Sequence, residues 1–149
     1  MKKFGEFILE SNDDKIYVNT IVISDNDEIL IMRRANYMKK FPGLWGFPGG
    51  SYEKGKDKTI KDGAIRELKE ETGLELTWNE EHDMKEFKKI KNKDNSISYY
   101  FLTKLETTPT DHIKISKEHS KYDWYDYNDQ KQFKWMPDVF QLIQEYYER

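Results

Sequence analysis

Period-two hydrophobicity and helical periodicity divide the first half of the chain between strands and one long helix. Apolar and β-branched residues alternate over 15–24 and 28–34, which predicts two strands joined by a turn at 25–27. The apolar spacing over 59–72 predicts a helix, and Gly73 is the residue type that most readily adopts the left-handed conformation at a helix end. The pattern therefore indicates a domain that mixes strands and helices, of the α+β or α/β class.

The second half of the chain continues this mixture. A proline-rich and glycine-rich stretch over 41–50 predicts a tight turn followed by a short strand, with Trp45 and Phe47 in the core. An apolar stripe over 138–149 predicts a final amphipathic helix, which Pro137 would precede. Between these regions, strands are predicted over 74–78, 85–91, 96–106 and 122–125, with a loop over 79–83.

Length and composition narrow the class of protein. The 149 residues suit one domain spanning 1–149 with one sizeable core. Aromatic residues make up 15% of the chain, which argues against disorder. The net charge of −3 does not favour electrostatic binding to nucleic acid or to an anionic membrane. The absence of cysteine excludes disulfides, a thiol nucleophile and a cysteine-based zinc site.

Nothing in the sequence predicts export or membrane insertion. Residues 1–14 contain acidic residues where a signal peptide would be apolar. No stretch approaches the roughly 20 apolar residues of a membrane span. We therefore expect a soluble, cytoplasmic protein that does not interact with a membrane.

Three glutamates are the strongest candidates for chemistry. Glu67, Glu70 and Glu71 are spaced i, i+3 and i+4, which places them close together on one face of the predicted helix. Like charges at this spacing are unfavourable unless something offsets them, and oxygen ligands of this kind suit Mg²⁺ or Mn²⁺. A solvated acidic helix face is the alternative interpretation.

The surrounding residues resemble the Nudix box. Residues 66–74 (RELKEETGL) match the second half of the box residue for residue, and 43–50 (GLWGFPGG) resembles the segment that precedes it in many Nudix enzymes. On this resemblance the chain is identified as a MutT-like member of the Nudix hydrolase family. The resemblance implies the Nudix fold, in which a mixed β-sheet lies between helices.

The first half of the box departs from the family pattern. Counted from Gly50, the position of the first glutamate of the box is occupied by Lys56. Nine residues then precede Arg66 where the pattern has seven, so the loop carries a two-residue insertion. Asp57 or Glu53 could replace the missing acid, and the sequence does not decide between them.

The resemblance also implies roles for individual residues. In the family, the glutamates and a glycine carbonyl hold a divalent metal, here Mg²⁺ or Mn²⁺, and the arginine orients a catalytic carboxylate. A glutamate in a late loop of some relatives is a further metal ligand or the base, which suggests Glu118, whereas His119 is expected to be structural or exposed. The implied metal ligands are Gly50, Glu67, Glu70 and Glu71, and the implied catalytic residues are Arg66, Glu67, Glu70, Glu71 and Glu118.

A basic loop after the second predicted strand offers a binding site for phosphate. Arg33, Arg34 and Lys39 are the candidate substrate-binding residues, because arginine and lysine neutralise polyphosphates. A solvated loop is the alternative.

The implied reaction is hydrolysis of a nucleoside diphosphate linked to a group X. The first expectation is a nucleoside triphosphate, canonical or oxidised, cleaved to the monophosphate and pyrophosphate. NDP-sugars and dinucleoside polyphosphates are alternatives within the same class. A non-catalytic module that senses a small nucleotide is the alternative from another class, while hydrolysis at RNA 5′ ends and nucleic-acid binding are ranked low. A homodimer is compatible with the resemblance.

Overall fold

The described residues form one mixed β-sheet with helices on both faces. The computed structural model describes residues 15–109, 113–129 and 131–149, so the N-terminal segment predicted to lack a signal peptide lies outside it. The strands are β1 (Ile16–Ile23), β2 (Ile29–Arg34), β3 (Trp45–Gly46), β4 (Gly49–Ser51), β5 (Lys85–Lys91), β6 (Ile97–Lys104) and β7 (His119–Tyr125). The helices are α1 (Ile60–Thr72), α2 (Trp78–Asp83) and α3 (Val139–Tyr147).

The sheet is ordered β3-β2-β1-β6-β5, with β4 paired to β1 and β7 paired to β2. Only β1 and β6 run parallel among the described strand pairs. The full length of β1 pairs with β6, from Ile16 opposite Ile97 to Ile23 opposite Lys104. Because β4 pairs with β1, Gly50 lies opposite Val18 in the middle of the domain.

The two faces of β1 are covered by different helices. Val18 packs with Ala64 of α1, while Ile21 packs with Leu142 and Ile143 of α3. Successive residues of a strand point to opposite faces, so both faces of this central strand are buried. This arrangement confirms the predicted α+β class and the sheet enclosed by helices.

The predicted strand over 74–78 and loop over 79–83 are wrong. Residues 74–77 form no strand, and α2 follows them. The Thr77 hydroxyl accepts a hydrogen bond from the Glu80 N–H, and the Glu80 carboxylate accepts one from the Thr77 N–H. This reciprocal capping box starts a helix at a position where the hydrophobic pattern alone indicated a strand.

The remaining predicted elements are close to those observed. The strand predicted over 122–125 begins earlier, at His119, because residues 119–125 pair with β2. The final helix starts at Val139, after Asp138, whose φ of 69° places it in the left-handed region. Phe47 is buried, and Trp45 packs against the core cluster as predicted. Among the described residues, no helix is both long enough and apolar enough to cross a membrane.

Candidate active site

Helix α1 begins and ends at sequence-encoded caps, which fix the position of its glutamates. Thr59 accepts a hydrogen bond from the Asp62 N–H at 3.0 Å. At the other end, Gly73 has a φ of 77°, and its N–H donates to the Lys69 carbonyl at 2.8 Å. Hydroxyl N-caps and left-handed glycines are the expected solutions for the free backbone groups at helix ends.

The three glutamates of α1 occupy different environments. Glu67 and Glu71 are 8% and 5% exposed, whereas half of the Glu70 side chain is exposed. Glu67 and Glu71, four residues apart, therefore lie on the buried side of the helix rather than on a solvated face. Buried carboxylates are costly unless they are paired or bind a cation. The interpretation as a solvated acidic face does not apply to these two residues.

Glu67 lies directly against the backbone of β4. A Cβ atom on Gly50 would come within 2.3 Å of Glu67 Oε2 and 2.6 Å of Oε1. The carboxylate thus fills the space that any other residue at position 50 would need. Burial raises the pKa of Glu67, although hydrogen bonding to Arg66 opposes this shift.

Arg66 connects the loop before α1 to two of the glutamates. Its Nε and Nη2 donate to the two carboxylate oxygens of Asp57 at 2.8 and 2.9 Å, and Nη2 also donates to the Ser51 carbonyl at 2.9 Å. Its Nη1 donates to Glu67 at 3.0 Å and to Glu70 at 3.2 Å. One positive charge thus faces three carboxylates, and these contacts raise the pKa of the guanidinium.

Asp57 is the buried acid of the irregular loop. Its side chain is 2% exposed, and the hydrogen bond from Arg66 is the main cause that lowers its pKa. Lys56, at the position of the family glutamate, instead forms an exposed ion pair with Glu53 at 3.2 Å. Glu53 is 3.6 Å from Arg66 Nη1, a longer contact than either contact of Asp57. The structure thus distinguishes the two acids that the sequence left open.

Glu71 is held by a distant segment of the chain. The Ser116 hydroxyl donates to Glu71 Oε2 at 2.5 Å, and His119 Nδ1 lies 2.8 Å from the same oxygen. His119 Nδ1 is buried and has no partner of regular hydrogen-bond geometry among the described residues, so this contact is a close approach of two polar atoms. Burial raises the pKa of Glu71, but the contacts to His119 and Ser116 outweigh it and lower the pKa overall.

The structure brings only some of the predicted residues together. The Glu118 side chain is exposed and forms no hydrogen bond or ion pair with the described residues. Its backbone is engaged instead, since its carbonyl accepts from the Ala35 N–H at 2.8 Å. Two nearby residues of the same segment, Ser116 and His119, provide the contacts to Glu71.

The basic loop after β2 contributes one arginine near the glutamates. Arg34 lies close enough to Glu71 for its charge to lower the pKa of that carboxyl, while its Nε donates to the Lys40 carbonyl at 2.8 Å. Arg33 donates to Ser120 and Asn36 at 2.9 and 3.0 Å. Lys39 is exposed. The three residues thus differ, and Arg34 is the one whose charge acts on Glu71.

The donor groups suit a divalent cation, although each carboxylate has another partner in this arrangement. Within the described parts of the chain, no three histidine, aspartate or glutamate groups converge closely enough to hold a metal ion. The buried Glu67 carboxylate nevertheless lies against the backbone of Gly50, so carboxylate and peptide oxygens belong to the same region of the fold. Oxygen donors of these types are those that Mg²⁺ and Mn²⁺ prefer.

Sequence reasoning missed Ser116 and His119 as neighbours of Glu71. Ser116 lies 45 positions beyond Glu71, and no local periodicity links two such distant segments. Asp57 carried a weak signal, because it is an acid one residue beyond the family position in a loop with an insertion.

Comparisons with known proteins identify the class to which this fold and site belong. A sequence model of the NUDIX domain matches residues 14–146. The RNA pyrophosphohydrolase of Campylobacter jejuni subsp. jejuni serotype O:2 is 30% identical over 125 residues, covering 78% of this chain and 71% of the relative. The chain therefore belongs to the Nudix family.

Two further proteins illustrate the range of relatives. The ADP-ribose pyrophosphatase of Methanocaldococcus jannaschii is 35% identical over 82 residues, covering 49% of this chain and 46% of the relative. A bifunctional NMN adenylyltransferase/ADP ribose pyrophosphatase of Francisella tularensis, solved with AMP and Mn, is similar with a TM-score of 0.71 and 26% identity. That similarity covers 90% of this chain and 41% of the other. Several curated relatives are longer, and the chain spans only 20–46% of their length.

Proposed function

We propose that this protein is a metal-dependent pyrophosphohydrolase that cleaves a nucleoside diphosphate linked to a group X. The observation that carries the proposal is the pair of buried acids, Glu67 and Glu71, on one face of α1, with Glu67 against the Gly50 backbone. Such buried negative charge is costly without a compensating cation. A diphosphate bond, in turn, requires its own negative charge to be neutralised during cleavage.

The proposed metal-binding groups are Glu67, Glu70, Glu71 and the Gly50 carbonyl. When bound there, Mg²⁺ or Mn²⁺ supplies charge neutralisation of the diphosphate and lowers the pKa of water. Arg66 holds Glu67 and Glu70 in place through its Nη1 and keeps the Ser51 carbonyl fixed through its Nη2. Arg34 adds positive charge beside Glu71, which suits a phosphate group of the substrate.

The first candidate substrate is a nucleoside triphosphate, canonical or oxidised, cleaved to monophosphate and pyrophosphate. NDP-sugars, ADP-ribose and dinucleoside polyphosphates share the same diphosphate element. One relative is named an ADP-ribose pyrophosphatase and another an RNA pyrophosphohydrolase. Both names specify cleavage of a diphosphate bond, while the group X differs. Glu118 and Lys39 remain proposed contributors, as an additional base or ligand and as a phosphate contact.

A second candidate, the 5′-triphosphate end of RNA, is favoured by one surface feature. Tyr37 and Phe41 are 68% and 40% exposed in the loop that also carries Lys39 and Lys40. Exposed aromatic residues among basic residues can stack on the bases of a single strand while its phosphates are neutralised. The net charge of −3 weighs against a strong non-specific attraction to RNA.

The test is a substrate panel with Mg²⁺ or Mn²⁺, with EDTA as the negative control. The panel contains canonical and oxidised triphosphates, ADP-ribose, NDP-sugars, dinucleoside polyphosphates and a 5′-triphosphorylated RNA. Pyrophosphate from a triphosphate, or two monophosphates from an ADP-ribose-type substrate, would identify X. Nucleotide binding without metal-dependent turnover of any member would contradict the proposal and favour a sensing module.

A further inference from the structure

The loop between β4 and α1 closes on itself around Asp57. The N–H groups of Lys56 and Asp57 both donate to the Glu53 carbonyl, at 2.9 and 2.8 Å. The Glu53 N–H in turn donates to Asp57 Oδ2 at 2.9 Å. Backbone and side chain therefore form a compact turn that places the Asp57 carboxylate toward the domain and leaves Lys56 exposed at the surface.

Helix α1 leaves room for this carboxylate at one position. A Cβ atom on Gly63 would meet Asp57 Oδ2 at 2.9 Å and Tyr52 Cδ1 at 3.2 Å. Gly63 is thus the position where the helix surface accepts the displaced acid, three residues before Arg66. Glycine within a helix costs roughly 0.5–1 kcal/mol relative to alanine, so its presence here is consistent with a steric requirement.

We propose that Asp57 is the positioning residue of the active site, and that the turn with Gly63 compensates for the insertion and for Lys56. Asp57 engages Nε and Nη2 of Arg66, which leaves Nη1 for Glu67 and Glu70. The two-point contact fixes the plane of the guanidinium. The catalytic consequence rests on the proposed function, whereas the structural consequence does not.

Loss of the Asp57 charge would change which carboxylates Arg66 binds. Without Asp57, the remaining acids on the guanidinium are Glu67 and Glu70, together with the longer contact to Glu53. Arg66 would then bind the carboxylates more closely and compete with a divalent cation for them. Supporting contacts of this kind typically change metal affinity or activity by about 10–100-fold.

The first arm of the test is spectroscopic and needs no substrate. In the native protein, the Arg66 Nε–H is expected to give a slowly exchanging ¹H–¹⁵N resonance, assigned by its disappearance in Arg66→Lys. Asp57→Asn should abolish or strongly shift this resonance, whereas Lys56→Gln, the matched control from the same loop, should leave it unchanged. An unchanged resonance in a folded Asp57→Asn variant overturns the proposal.

A short-loop variant distinguishes loss of the Asp57 contact from a general folding defect. It combines Lys56→Glu with deletion of Asp57 and Lys58, which restores the family spacing of seven residues between the glutamate position of the box and Arg66. We expect this variant to fold and to regain the protected Arg66 resonance. A folded short-loop variant without that resonance contradicts the idea that Asp57 replaces the missing glutamate of the box.

The second arm is kinetic, on whichever panel substrate the native protein cleaves. Asp57→Asn should lower kcat by about 10–100-fold with KM changed less than about threefold, because substrate contacts are untouched. The short-loop variant should recover most of kcat, and Lys56→Gln should match the native protein. Equal kcat for Asp57→Asn and Lys56→Gln overturns the proposal. If the native protein cleaves nothing, the proposed function fails and the resonance arm alone decides on Asp57.

Discussion

Two buried glutamates on the same helix face are held by entirely different parts of the chain. Glu67 contacts its neighbour Arg66 and the backbone of Gly50, all within the local motif. Glu71 contacts Ser116 and His119, which belong to the segment around the start of β7. The pKa of Glu67 is raised and that of Glu71 is lowered. Residue type and helix position therefore do not determine the electrostatic state; the tertiary partner does.

We expect the largest effect from a substitution at Gly50, which would displace the Glu67 carboxylate. Gly50→Ala would place a Cβ within 2.3 Å of a Glu67 oxygen, so we expect activity to fall by at least about 10²-fold, a loss typical of displacing a catalytic group. Gly55→Ala is the matched control, because a Cβ there would meet nothing within 4 Å. Steady-state turnover of both variants checks this. Similar activity for the two alanine variants would show that the approach of Glu67 to the backbone is not needed.

The contacts that hold Glu71 are tested by substituting Ser116 and His119. Ser116→Ala combined with His119→Gln removes both contacts to Glu71 Oε2, and we expect kcat to fall by about tenfold. His82→Gln is the control, because that ring is exposed and its aromatic contact among the described residues is a stack on Trp78. Activity of the double variant within twofold of the control would mean that Glu71 does not depend on this segment.

The effect on stability is smaller and depends on pH. The pKa of Asp57 is lowered, chiefly by Arg66, so its contribution is present above its unfolded pKa of about 3.9 and is lost as pH falls through the folded pKa. Asp57→Asn should therefore lower the free energy of unfolding by about 1.5–3 kcal/mol at neutral pH, the range for hydrogen bonds to charged groups.

Denaturant titrations at several pH values check that expectation. The difference between native and Asp57→Asn should stay constant down to about pH 5 and shrink below about pH 4. A difference of the same size at pH 7 and at pH 2.5 would argue that packing, and not the charge pair with Arg66, stabilises this loop.

The same contrast explains what could be predicted from sequence. The glutamate spacing, Gly73 at the helix end and the motif over 66–74 are local, and the structure reproduces the helix they predict. The contacts of Ser116 and His119 depend on the pairing of β7 with β2 and on the course of the chain over 113–118. Such tertiary pairing has no local signature in a single sequence.

Errors in the fold prediction have the same origin. The strand predicted over 74–78 rested on alternation alone, but the side chains of Thr77 and Glu80 cap a helix there. Glu80 also accepts a hydrogen bond from the Glu106 N–H at 2.7 Å, which ties α2 to the chain after β6. A capping box over 77–80 was legible in the sequence, whereas the contact to Glu106 was not.

Titration with Mn²⁺ tests most directly whether the two differently held glutamates form one metal site. Binding is measured by calorimetry or from the loss of the free Mn²⁺ EPR signal, without any substrate. We expect Glu67→Gln combined with Glu71→Gln to weaken Mn²⁺ affinity by at least about tenfold. The control, Glu75→Gln with Glu81→Gln, removes two exposed acids and should bind like the native protein. Equal Mn²⁺ affinity in the two double variants would contradict the claim that α1 carries the metal site.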